Sequence, residues 1–444
     1  MVPFGVFSLA SLLTDFTSNN ELELNTKRTT TLAGNAGILK PAWSCSVHDQ
    51  LSWCVYENSL CVDRDGNIFL ITDDFAKHGK NIDLLNDIEP SPWHIPDVHN
   101  LEHTSFGKYD IPYRSFFRTA IYVPRQPAGS VHVSGWSLVA AFDSDNYNIY
   151  HYMNKLHAAF VARLYHLIGI NDQAGDSSVS MLEKLYTPDF EFTEAYLLRP
   201  SPTSWQESYS KLCLGNETTF NYLRSTSLEL NGSTDTMCFE RAIIPGAALY
   251  LADGLITSIL FREHAAKFMG IRVPEGERNV ITIFDRSAGN RRIFNLGHLK
   301  SSIERQAANF DVIVVDWDGS VDFREQAMHM ARTRIMLTTH GSVLNHNAFM
   351  EVEGVVIELN GYQFTYPLGE QAVLSRGNYY LRYEETLENT KFQDQEWGQD
   401  PFRSLTSRAC MRNNECLLTR RDADIRVDLT RFAAHFERAL SLVT

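Results

Sequence analysis

Three arginines stand close together in Asp285-Arg286-Ser-Ala-Gly-Asn-Arg291-Arg292, directly after a β-branched run at 280–284. The guanidinium group is a planar fork of donors that matches phosphate oxygens. A second cluster, His340-Gly341-Ser-Val-Leu-Asn345-His346-Asn347, follows an apolar run at 335–339. Gly341 permits a tight turn. A helix starting near 342 would turn free N–H groups and its positive dipole end toward an anion. His340, Asn345 and His346 add polar reach. Glu358 sits near the end of Val-Val-Ile-Glu-Leu. A carboxylate there either accepts from ribose hydroxyls or closes a structural ion pair, and both readings stand. Together these groups suit the holding of a diphosphate. Neither G-x-G-x-x-G nor a P-loop follows any predicted strand, which argues against a nicotinamide dehydrogenase and a P-loop kinase. A diphosphate held by arginines and a helix end suits a nucleotide-sugar.

The elements that must position these residues read as an α/β unit. Strands are predicted at 280–284, 311–316, 335–339, 355–359 and 379–384. Helices are predicted at 298–310, 323–332 and 342–350. Strands apolar on both faces, alternating with helices, imply a parallel sheet covered by helices, with its ligand site at the carboxyl ends of the strands. A closing amphipathic helix at 429–442 turns Leu429, Phe432, Phe436 and Leu440 inward. The first half gives strands at 67–72, 119–123 and 131–142. Its helix at 148–168 carries Ile149, Tyr152, Leu156, Phe160 and Leu164 on one face. Expected divisions are 1–44 (an apolar start and a polar stem or linker), 45–270 (an acceptor-side α/β domain) and 271–444 (a Rossmann-like nucleotide-sugar domain).

Composition bounds the partners. The chain has 444 residues and a formal net charge of -14, so no global field attracts nucleic acid. Seven cysteines occur, without CxxC or any zinc spacing, so no metal site is expected. Their early and late clusters are expected to staple local loops in an oxidising compartment. Sequons at Asn216 and Asn231 point the same way. The opening MVPFGVFSLASLL reads equally as a poor signal peptide, an anchor remnant or a buried segment. Membrane contact is expected through that segment alone.

In their order, these residues resemble glycosyltransferase family 61. ITIFDRSAGNRRIFN is similar to the family's strand followed by R…R-x-I-L-N, and FREQA to its F-x-x-Q helix start. HGSVLNHNAFM with GVVIEL is similar to H-G-A-G-L-T-[NH]-x-L-F and V-V-E. NIYHYMNKLHAAF resembles its N-x-Y-H helix, MCFERAIIPG its C-F-x-x-A segment, and CVYENSLCVDRDGNIFLI its cysteine-bearing strand pair. The helix variants are similar to members that add N-acetylglucosamine to proteins, especially the EGF-domain-specific type; pentose-adding members stay open. Val343 and Leu296 depart from the pattern, where glycine and glutamate are usual.

The resemblance implies a GT-B-like α/β fold, with two Rossmann-like domains facing across a cleft. It implies inverting transfer from a UDP-sugar to a protein or polysaccharide acceptor in the endoplasmic reticulum or Golgi lumen, or in a secreted form. No cofactor beyond the UDP-sugar co-substrate is implied, and no metal. Arg286, Arg291, His340, Gly341, His346 and Glu358 carry over to the donor side; Arg292 and Asn345 join them from the residue reading. Inversion needs a base for the acceptor hydroxyl. His151 is the first candidate, with Asp143 and Asp145 behind it. The competing reading is a degenerate relative that binds a glycan or partner protein.

Overall fold

The computed structural model describes residues 42–48, 51–63, 68–71, 120–123, 125–141, 149–166, 194–198, 204–222, 236–245, 254–286, 289–317, 321–410 and 412–443. The chain divides into two units. The first comprises residues 1–95, 111–143 and 155–247, and the second 96–110, 144–154 and 248–444.

In the first unit, β1 (Ala42–His48), β2 (Leu51–Asp63), β3 (Ile68–Ile71), β4 (Ala120–Val123), β5 (Val131–Ala141), β6 (Glu194–Leu198), β7 (Thr219–Tyr222) and β8 (Thr236–Pro245) make one sheet. Its order is β4-β3-β2-β8-β5-β6-β7, with β1 paired to β2. The strands β8, β5, β6 and β7 run parallel, whereas β2 is antiparallel to both β3 and β8. The helices α1 (Ile149–His166) and α2 (Ser204–Leu214) belong to the same half of the sequence. As the three- and four-residue spacing predicts, Tyr152, Leu156, Phe160 and Leu164 are buried. His157 on α1 is buried too and bonds Tyr209 on α2 at 3.0 Å.

Cys61 and Cys238 stand opposite each other on β2 and β8 and are disulfide-bonded across 177 residues. This corrects the expectation of purely local stapling: Cys61 finds its partner across a strand pairing that spacing alone does not reveal. Cys410–Cys416, six residues apart, is local as expected. Cys213 is a buried thiol outside these disulfides.

The second unit is built on a fully parallel sheet. Its strands are β9 (Val280–Phe284), β10 (Asp311–Val315), β11 (Thr333–Thr339), β12 (Val355–Asn360) and β13 (Tyr379–Glu384), in the order β10-β9-β11-β12-β13. Strand β9 therefore pairs with β10 on one side and β11 on the other, which makes the β9–β11 boundary the topological switch point. Side chains alternate along each strand. One face carries Ile281, Ile283, Ile335, Leu337, Val355, Ile357 and Leu359. Against it pack α4 (Leu296–Gln306) and α9 (Leu429–Val443), through Leu299, Ile303, Phe432 and Phe436. Each such fully buried side chain contributes roughly 1.5–3 kcal/mol.

The opposite face is covered by α3 (Gly254–Phe268), α5 (Phe323–Arg332), a 3₁₀ helix (Ser342–Phe349) and α6 (Leu368–Leu374). Phe349 meets Phe261 of α3 at 5.9 Å and Phe323 of α5 at 5.6 Å. Helix α3 thus packs with the second sheet, although a cut at 270 would place it with the first. The segment expected as an ordinary short helix at 342–350 is 3₁₀ throughout, with residues 344–349 all buried. No helix among the described residues is long and apolar enough to cross a membrane.

Candidate functional site

Both sequence clusters end on the switch point. Strand β9 delivers Asp285 and Arg286; strand β11 delivers His340 and Gly341. The intervening loop bends back at Arg291, whose φ of 69° lies in the left-handed region. Its guanidinium donates from Nη1 to the His340 carbonyl at 2.8 Å, while Nε lies 3.4 Å from Asp422. Thr339 Oγ1 donates to the Arg291 carbonyl at 3.0 Å, so the loop is tied to β11 from both sides.

The same loop is clamped to a second segment. Ile425 donates to the Arg292 carbonyl and Phe294 to the Ile425 carbonyl, at 2.9 and 2.8 Å. Asn295 bonds both the N–H and the carbonyl of Val427 at 2.8 Å. This gives the R-x-I-F-N stretch a physical reason: its asparagine pairs with backbone as a strand neighbour would.

Gly341 has extended backbone, with φ 165°. A methyl group placed on it would lie 3.4 Å from Nη1 of both Arg286 and Arg291. Two cationic ends thus face one bare backbone position. Burial lowers the pKa of both arginines, that of Arg291 to about 10, aided by the charges of Arg286 and Arg421 and opposed by Asp422. Asp422 also holds Arg421, through bonds of 2.9 and 3.0 Å. The local balance is therefore cationic: Arg286, Arg291 and Arg421 against Asp422, with Asp316 acting on Arg286.

Arg292 turns elsewhere. Its backbone N–H and Nη2 engage Asp424 at 2.8 and 3.1 Å, and its guanidinium lies over Phe294. The side chain is 43% exposed, against 19% for Arg291.

His340 is backed by Glu358, with Nδ1 2.6 Å from Oε1. The other carboxylate oxygen accepts from the Tyr380 hydroxyl. Glu358 has 0% exposure and both oxygens engaged, so it has no free edge for a ribose hydroxyl. The geometry thus engages both Glu358 oxygens within the protein, with His340 on one and Tyr380 on the other. Burial alone would raise the Glu358 pKa; the His340 charge and hydrogen bond, the Tyr380 hydroxyl and Arg382 outweigh it and hold the carboxyl below its usual range. The Tyr380 hydroxyl is pushed up by burial and by Glu358. Phe364 and Tyr366 contact the His340 ring edge-on at 4.9 and 5.6 Å.

His346 does not reach the arginines with a free nitrogen. Its ring is buried, with Nε2 2.9 Å from Gln326 Oε1 and Nδ1 3.1 Å from the Val343 carbonyl. Trp317 and Phe284 flank it at 4.7 and 5.8 Å. Burial lowers its pKa to about 4, so it is neutral near pH 7. Asn345 is fully buried, and neither side-chain amide atom has a hydrogen-bond partner.

His151 lies in the first turn of α1, the helix that follows β5. Its side chain, and the whole of Asp143 and Asp145, lie outside the described residues. The expected site residues therefore divide. Arg286, Arg291, His340 and Gly341 converge, Glu358 stands behind His340, and Arg292 and His346 face other partners. Sequence reasoning missed Tyr380, Arg382, Arg421 and Asp422. Of these, the RRDAD stretch at 420–424, which begins in the last turn of α8 (Asn414–Arg421), had a signal, a charge run beside a strand-like DIRV.

Comparison with known proteins agrees with the motif order. The family model described as Glycosyltransferase 61 matches residues 48–357, which takes in strands of both units. No curated relative matches the chain. Among solved structures, the ADP-heptose lps heptosyltransferase II of E. coli is similar at 11% identity and a TM-score of 0.25, over 64% of this chain and 98% of that one, a likeness too slight to build on. A match over that share of the sequence makes the chain a member of glycosyltransferase family 61, an enzyme of glycosyl transfer.

Proposed function

We propose that the chain moves a sugar, N-acetylglucosamine or a pentose, from a UDP-sugar to a protein- or glycan-bound hydroxyl, with inversion, in the secretory pathway. The observation that carries this reading is the cationic pair at Gly341, where Arg286 and Arg291 meet a backbone position without a side chain. A diphosphate set there gains charge-assisted hydrogen bonds from both forks. As the sugar–phosphate bond breaks, negative charge grows on the leaving oxygen, and fixed cations stabilise it without reorganising. His340 supplies a further polar edge. Its Nδ1 is taken by Glu358, which leaves Nε2 to face the ligand.

The arginines, rather than a metal, neutralise the leaving group in this reading. On the acceptor side, His151 takes the hydroxyl proton, with Asp143 or Asp145 as substitutes. The Cys61–Cys238 and Cys410–Cys416 disulfides and an exposed sequon asparagine, Asn216, support passage through an oxidising compartment.

Thermal stabilisation by UDP and a panel of UDP-sugars, with and without manganese, tests the donor reading. A ligand at 100 times its dissociation constant adds about 2.7 kcal/mol. Stabilisation by one UDP-sugar above the rest names the donor. No shift with any UDP compound overturns the reading and leaves a degenerate binder. Normal transfer by His151→Ala removes His151 as the base.

A further inference from the structure

Glu358 cannot serve the nucleoside, so another group must. Strand β12 alternates its side chains, and Val355, Ile357 and Leu359 face the core shared with α4 and α9. Glu358 and Asn360 therefore share the opposite face, the one that carries His340. Pairing runs Thr338–Glu358 and Thr339–Leu359, so Asn360 stands one step further on, across from His340. It is the last residue of β12, at the carboxyl edge of the sheet.

The Asn360 side chain is unusual. It is 2% exposed, and neither its amide nitrogen nor its amide oxygen has a hydrogen-bond partner. An unpaired buried amide costs about 1–3 kcal/mol. Its backbone carbonyl, by contrast, accepts from Glu385 at 2.9 Å, so the strand itself is fully paired there. Next to it, the segment after Gly361 brings Phe364 and Tyr366 against His340, their rings stacked at 6.2 Å and 29°. The edge thus combines an unused donor–acceptor pair with the half-buried Tyr366 ring, which is backed by the buried Phe364.

We infer that Asn360 is a donor-binding residue that reads the nucleoside end of the donor, its side-chain amide pairing with the carbonyl and N–H edge of the base while the Tyr366 ring lies alongside. A primary amide presents donor and acceptor side by side, and a uracil-type edge is its complement. This inference rests on the donor reading above and assigns the nucleoside end as the arginines are assigned the diphosphate. A side chain that the unliganded fold leaves unpaired gains both bonds when the base arrives.

The test is calorimetric titration of the full chain with UDP, UMP and inorganic pyrophosphate, in wild type and Asn360→Ala. The expected result is a loss of about tenfold, one lost hydrogen-bonding group, for UDP and UMP alike, with pyrophosphate unchanged. Melting without ligand should hold or rise, because the variant removes an unpaired group. Unchanged UDP affinity overturns the inference, as does an equal loss for UDP and pyrophosphate, which would mark a structural role. Asn360→Leu, uncharged and of similar size, carries the same test where alanine does not fold. Wild type that binds pyrophosphate but neither nucleotide ends the nucleotide reading itself and this inference with it; wild type that binds UDP while Asn360→Ala binds it equally ends this inference alone.

Discussion

Gln326 Oε1 lies 2.9 Å from Nε2 of His346, joining the start of α5 to the 3₁₀ helix that follows the His-Gly turn. The Gln326 amide in turn donates to the Val321 carbonyl at 2.9 Å. Both residues come from motif segments, and their contact locates the pair beneath the site rather than in it. Gln326→Leu leaves a buried ring nitrogen unpaired and should cost about 1–3 kcal/mol in urea denaturation.

His346 also sets a pH dependence. Its folded pKa is about 4 and its ordinary value 6.5. Between those values the unfolded chain binds a proton that the folded chain refuses. Stability therefore falls as pH drops from 6.5 toward 4, by about 3 kcal/mol in all. His346→Gln should flatten that limb of a stability–pH curve while changing pyrophosphate affinity little.

Glu358 acts on the other side of that window. Its carboxyl is held low, so its contribution is complete above the ordinary value of 4.5 and is lost as pH falls through the lower folded value. Glu358→Gln weakens the buried hydrogen bonds to His340 and Tyr380, at a cost of about 1–3 kcal/mol. In denaturation series below pH 4.5 the variant should lose less further stability than wild type.

Two glycines should behave differently. A methyl group on Gly369 would meet Glu358 Oε2 at 2.9 Å and Leu344 at 3.0 Å. Gly369→Ala should therefore cost about 1–3 kcal/mol, as overpacking does. On Gly341 the methyl meets guanidinium ends at an ordinary 3.4 Å and extended backbone accepts it. Gly341→Ala should melt like wild type and bind UDP more weakly, a split that thermal scans with and without UDP would display.

Adjacent arginines should split in the same manner. Arg291→Ala removes a fork that faces Gly341, and about tenfold or more of UDP affinity should go with it. Arg292→Ala removes a half-exposed pair with Asp424 and should cost under about 1 kcal/mol of stability, with UDP affinity unchanged. Titration calorimetry on the two variants compares them directly.

The second unit was legible because its signals are local. Val280–Phe284, Phe323–Arg332 and Tyr379–Glu384 appear over the residues their patterns predict, since β-branched runs and helical spacing act within one element. The first sheet was harder. The long β2 bends past Asn58, at φ 47°, and its register with β8 shifts between Glu57 and Leu60, so no single alternation runs through it. The arginine run was legible as a candidate phosphate site by composition, but not which of its arginines would face Gly341. That depends on Asp424, 132 residues further along, claiming Arg292. Glu358 was ambiguous for a similar reason: Tyr380 and His340 occupy it from two other strands.

The clamp between the arginine loop and residues 422–427 has a consequence for biosynthesis. Asn295 waits 132 residues for the backbone of Val427. At cellular rates of elongation that interval is on the order of ten seconds. During it, strands β9 through β13 can emerge and pair while the loop still lacks its far wall. A ribosome-stalled chain ending before Asp422 would carry every motif of the donor side yet hold Arg291 without its counter-charge. The proposed donor site is thus among the last parts of this unit to be completed, and on that reading nucleotide should protect the finished chain from proteolysis but not that nascent one.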